Sequence, residues 1–250
     1  GCKGAIVQVD AFAIRLRARS PWEAADLGVR LCQREWRSVY RCYWVVALPV
    51  FALCLATFEI ANWLPGILIW WLKPWLDRTI LFVLSRAGFG QGTRIRDLWR
   101  ARGLVFWRQL LLTLTLRRLS FRRAFTQPVY QLEGLPRAER RQRLQLMRRR
   151  GGGIATLLTG GFALIETMIT VGLLSLLLWF APPGSDIGLA SLFDDARVPW
   201  LEFSFAVSYL LVVAVLEPFY VASGFGLYLN RRVELEAWDI EQEFRRAFAN

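Results

Sequence analysis

Residues 42–72 read CYWVVALPVFALCLATFEIANWLPGILIWWL, a stretch of 31 residues without a lysine or arginine. As one helix it would be about 46 Å long, against about 30 Å for the apolar core of a bilayer. It therefore has to break or tilt strongly. Asn62-Trp63-Leu64-Pro65-Gly66 supplies the break, with a polar residue, an interfacial Trp and two helix punctuators. The reading is a first span over 42–61, a tight outside turn, and a second span over 65–86 that contains Lys73-Pro74 and Asp77-Arg78.

Further along the chain, Ile154–Ala181 predicts a third span, 154–181, interrupted by Glu166 and ended by Pro182-Pro183. The following loop holds Asp186, Asp194 and Asp195 against Arg197 and belongs outside. A fourth span, 201–229, carries Glu217-Pro218 near its centre and closes inside at Asn230-Arg231-Arg232. Nearly all of the 32 Lys and Arg fall before residue 42, between 86 and 150, or after 230. That asymmetry puts both termini in the cytoplasm. The expected fold is one all-α integral membrane domain over 1–250, with about four transmembrane helices and interfacial amphipathic helices. Membrane lipids are then its first partners.

A net charge of +12 would ordinarily raise nucleic acid as a partner. Here the flanking role of the arginines already accounts for the charge, and anionic headgroups are the simpler partner. Histidine is absent, which removes the commonest metal ligand and the usual general base. Cys2, Cys32, Cys42 and Cys54 form no CxxC pair and read as reduced packing residues. No metal, no cofactor and no nucleic acid is expected.

The basic region 87–152 has 16 Arg against Asp97, Glu133 and Glu139. Within it, 104–116 is apolar but too short to cross and reads as interfacial or re-entrant. Arg117-Arg118 and Arg122-Arg123 are then headgroup or anion ligands. A helix over 136–150 is expected to stop at Gly151-Gly152-Gly153. Alternating residues 6–19 suggest an extended arm. Ser20-Pro21-Trp22-Glu23 opens an amphipathic helix, with Ser20 as N-cap and Glu23 closing a capping box. A seamed helix is expected over 233–248. Gly160-Gly161 and Gly224-x-Gly226 suggest close helix approach.

Chemistry is sparse. Of Glu59, Asp77, Glu166, Glu202 and Glu217, Glu166 and Glu217 fall near mid-depth of their spans. They would serve as a proton or cation relay, or else be neutralised by Lys73 and Arg78 of the second span or bond free backbone groups beside Pro218. The second reading is favoured, because no further polar track accompanies them. The expected polar core is Lys73, Asp77, Arg78, Glu166 and Glu217. No triad, nucleophile elbow, P-loop or HExxH motif occurs, so the expectation is not an enzyme.

Several segments carry a resemblance: Arg17-x-Arg19-Ser20-Pro21-Trp22-Glu23-Ala24, Trp70-Trp71-Leu72-Lys73-Pro74 with Arg78, and Gln131-Leu132-Glu133-Gly134-Leu135. The most specific are Glu217-Pro218-Phe219-Tyr220-Val221-Ala222, Leu227-Tyr228-Leu229-Asn230-Arg231-Arg232 and Trp238-Asp239-Ile240-Glu241. Over almost its whole length the chain resembles a family of uncharacterised bacterial multi-pass inner-membrane proteins. It is more distantly similar to the membrane domains associated with glycerophosphodiester phosphodiesterases, whose hydrolase activity does not carry over. Ala237 departs from the Gly expected before Trp-Asp. The resemblance implies a bacterial cytoplasmic-membrane location, and its members are encoded near AAA+ ATPases. The expected function is therefore a non-catalytic subunit or scaffold of a larger membrane assembly, with a protein partner or a homo-oligomer. A small ion- or proton-coupled transporter, or a protein binding anionic lipid, are the alternatives.

Overall fold

The computed structural model describes residues 19–107, 114, 122–180 and 198–247. The arm 6–18, Arg117, Arg118, the acidic outside loop, residues 108–113 and 115–116 of the short apolar segment and the last residues after 247 lie outside them, as do the side chains of the 237–247 seam. Among the described residues the chain is helical, and no strand occurs.

Helix α1 spans Pro21–Arg34. Ser20 Oγ accepts the Glu23 N–H at 3.3 Å, while the Glu23 carboxylate takes Arg19 Nε at 3.1 Å. After a turn at Glu35, α2 runs Trp36–Ala56 and closes in a 3₁₀ turn, Thr57–Glu59. The chain reverses over 60–63, at the expected break, and α3 spans Leu64–Gly88 with Pro65 in its first turn. It ends in a Schellman motif: the Gln91 N–H reaches Arg86 O at 3.0 Å and the Gly90 N–H reaches Ala87 O at 2.9 Å. Gly90 has φ +70°, which a side chain would resist. Short α4 (Ile95–Arg100), a π turn (Gly103–Trp107) and α5 (Arg123–Leu132) follow. Two long helices complete the chain, α6 over Arg137–Trp179 and α7 over Val198–Ala247.

Two expected boundaries do not exist. The helix predicted over 136–150 does not stop at the glycines but continues through them as α6. A Cβ on Gly151 would come within 2.8 Å of the Phe125 ring, and one on Gly152 within 3.2 Å of the Arg122 guanidinium. These glycines let α5 lie against α6, and neither has the positive φ of a helix stop. Likewise the fourth span and the helix predicted over 233–248 are one element. Asn230 Nδ2 to Glu234 (3.1 Å), Arg231 to Glu234 (2.6 Å) and Arg232 to Glu236 (2.6 Å) are side-chain pairs one turn apart. They support the helix across its polar stretch.

Helix α7 is the hub, packing on α1, α2, α3, α5 and α6. Its meeting with α1 is backbone to backbone. A Cβ on Gly28 would overlap the Ala222 carbonyl oxygen, and one on Gly226 would overlap that of Ala24. Gly224 is equally tight against Ala124 of α5. By contrast, a Cβ on Gly160 or Gly161 would meet nothing among the described residues, so the close approach expected there does not occur among them. Cys32, Cys42 and Cys54 are free and buried in the core.

Among the described residues, three helical stretches are long and apolar enough to cross a membrane: Trp36–Glu59, Gly151–Leu176 and Pro199–Glu236. Helix α3 has the length, but Lys73, Asp77 and Arg78 interrupt its apolar run. These charges define the site.

Candidate functional site: a closed ionic core

Lys73 and Asp77 are four residues apart on α3 and so share one face of it. Helices α5, α6 and α7 meet that face and bring Arg123, Glu166 and Glu217 to it. Lys73 Nζ lies 2.6 Å from Glu166 Oε2 and 2.8 Å from Glu217 Oε2. The other Glu217 oxygen, Oε1, accepts from Arg123 Nη2 at 2.7 Å. Arg123 Nε then sits 2.9 Å from Asp77 Oδ2. That last contact is close but poorly aligned for a hydrogen bond, so it acts through charge. The result is a chain of alternating sign, Glu166–Lys73–Glu217–Arg123–Asp77, with Glu217 as the central bridge.

Burial makes these contacts matter. Asp77 is fully buried, and Glu217 is 2% exposed. Arg78 is buried beside them on α3. Along this chain two basic groups meet three carboxylates, and every carboxylate faces at least one cation. Aromatic rings complete the lining: the Arg123 guanidinium lies 5.3 Å from the Tyr220 ring centre, and Lys73 Nζ lies 5.9 Å from that of Tyr209. The Tyr220 hydroxyl is 3.1 Å from Thr159 Oγ1. The polar residue before Pro218 is thus consumed by two cations, and its carboxylate does not cap free backbone groups.

Two glutamines fix α5 against α3. Gln127 Nε2 donates to the Pro74 carbonyl at 3.3 Å, and Gln131 Nε2 to that of Arg78 at 2.9 Å. Both pairs are spaced by four residues, so the helices register one turn against one turn. A second clamp joins the start of α1 to α7. The Arg19 N–H donates to Asn230 Oδ1 at 2.9 Å, and Asn230 Nδ2 donates to Arg19 O at 3.0 Å.

Of the expected polar core, the structure joins Lys73, Asp77, Glu166 and Glu217 directly and buries Arg78 next to them. Arg123 requires a correction: it is no headgroup ligand, because Asp77 and Glu217 draw it into the core from the inner face of α5. Sequence reasoning missed it because its neighbours 117–122 are equally arginine-rich. The signal available was its place at the start of an amphipathic helix with buried Gln127 and Gln131. Arg122 is half-buried, donating to Thr156 Oγ1 at 3.2 Å. Arg117 and Arg118 lie outside the described residues. Among the described residues, no group of three or more His, Cys, Asp or Glu is placed to hold a metal ion. Burial pushes the Cys32 thiol up to about 12, which keeps it protonated and unreactive.

No protein-family model, curated protein or solved structure matches this chain.

Proposed function

We propose that this protein is a non-catalytic, four-span subunit or scaffold of a bacterial cytoplasmic-membrane assembly. The observation that carries this reading is the closure of the ionic core. Both oxygens of Glu217 are taken by cations, and Glu166 and Asp77 each face one of the same two. Such an arrangement holds four helices together and leaves little for a proton or ion to exchange with. The resemblance to bacterial inner-membrane proteins and the arginine-rich flanks support the location, with α3 as the fourth span once its charges are paired. The basic segments around 87–152 and the tail of α7 are the surfaces on which a partner would dock.

Extraction from the native membrane in a lipid-retaining system, followed by cross-linking and mass spectrometry, tests the reading. A stoichiometric partner cross-linked through 19–41, 87–152 or 233–250 supports it. A lone protein whose liposomes show gradient-driven flux, abolished by Glu166→Gln and Glu217→Gln, contradicts it and supports a transporter. One observation favours that second reading: Glu166, unlike Glu217, also faces an open cleft. An anionic-lipid function would instead show as bound lipid that survives high salt and is lost in Arg117, Arg118 and Arg122 variants.

A further inference from the structure

A cleft of about 580 Å³ lies between α3, α6 and α7, running from the turn at Asn62 and Trp63 to the Glu166 end of the ionic core. Its walls are aromatic: Trp63, Trp70, Phe205 and Tyr209 line it. Trp63 and Trp70 are 58% and 41% exposed, while Phe205 and Tyr209 stack at 6.1 Å with their planes 9° apart. Among the described residues its charged lining is Glu166 and Glu202, with no lysine or arginine. In a chain of net charge +12, that is a local reversal of sign. Glu166 shares its charge with Lys73 behind the wall. Glu202 makes no ion pair among the described residues, so it supplies the uncompensated charge.

We propose that this cleft binds a lipophilic organic cation, with its charge between Glu202 and the Trp63 and Trp70 rings and its apolar body along Phe205 and Ile67. Three lines of chemistry point there. Aromatic faces carry negative charge and attract cations, most strongly where water is excluded. A volume of this size suits a drug-sized molecule rather than a bare ion. The same wall already accepts an ammonium from within, since Lys73 Nζ approaches both Tyr209 and Glu166. An anion would meet two carboxylates and be repelled. The proposal stands apart from the subunit reading and does not depend on it.

Two ions of equal size and opposite charge make the test: tetraphenylphosphonium and tetraphenylborate, titrated onto the purified protein in a nonionic maltoside detergent. The expected result is saturable binding of the phosphonium at one per chain, with no saturable binding of the borate. Glu202→Gln and Trp70→Ala should each weaken phosphonium binding roughly tenfold while the thermal unfolding midpoint stays unchanged. Glu202 lies outside the ionic core, so its substitution leaves that core's pairs in place. Equal binding of both ions, or full phosphonium affinity in both folded variants, would overturn the proposal. Complete displacement of the phosphonium by phosphatidylethanolamine would overturn it too, assigning the cleft to a lipid headgroup.

Discussion

Helices α6 and α7 contain 18-residue windows of nearly equal mean hydropathy, 1.8 within Gly151–Leu176 and 1.9 within Pro199–Glu236. Yet 6% of the first is buried within the chain against 67% of the second. Hydropathy therefore marks both as apolar enough to cross a membrane and says nothing about which one holds the fold together. Side-chain size and polar partners make the difference. On α7, Gly224 and Gly226 bring α5 and α1 to backbone contact, and Glu217 and Asn230 reach across to other helices. On α6, a Cβ on Gly153, Gly160, Gly161 or Gly172 would meet nothing among the described residues, and Glu166, the single charged residue of the apolar stretch, is what joins the core. In a bilayer, where apolar contact between helices competes with lipid, close packing and polar pairing decide which helix is the hub.

The comparison breaks most readily at its tightest point. Gly226→Leu or Gly28→Leu forces a side chain into a facing carbonyl, and the expected outcome is loss of folded protein on size exclusion. Arg123→Met leaves Glu217 and Asp77 with one cation fewer and should cost about 3–5 kcal/mol in unfolding experiments. Asn230→Ala removes both bonds to the Arg19 backbone and should cost about 1–2 kcal/mol, with α1 the first segment to exchange its amide hydrogens. Gly161→Ala sharpens the contrast from the other side. It should leave stability unchanged or raise it by up to about 1 kcal/mol, since nothing opposes the added methyl and the helix gains from it. Smallest is a chemical effect: with its thiol pushed up to about 12, Cys32 should resist alkylation at pH 8 until the protein unfolds. Its raised value also adds stability that is complete below the ordinary thiol range and is lost as the pH climbs through that range toward 12.

Much of the architecture was legible from local signals. The turn after α2 follows from Asn62 to Gly66, the start of α1 from Ser20-Pro21, and the helical class from the apolar runs. The meeting of Lys73 with Glu166 and Glu217 was also within reach, because charges in apolar helices have few places to go. What local pattern could not show was whether a glycine ends a helix or admits a neighbour. Gly151-Gly152-Gly153 carries the signature of a stop after three arginines, yet Phe125 and Arg122, distant in sequence, fill the space and the helix runs on. Arg123 was hidden for the same reason. Its role depends on α5 being folded back onto α3 by Gln127 and Gln131, which is a tertiary fact.

The central claim is that the buried charges are a closed structural lock. A double-mutant cycle on Lys73→Met and Glu217→Leu, followed by thermal unfolding in lipid discs, tests it most directly. Lys73→Met breaks the contacts with Glu166 and Glu217, and Glu217→Leu breaks those with Lys73 and Arg123, so both single changes lose the same Lys73–Glu217 contact. The account predicts that the double variant loses less stability than the two single losses summed, because the shared Lys73–Glu217 contact is lost only once. Losses that simply add would contradict it, because the two side chains would then act independently rather than as members of one core.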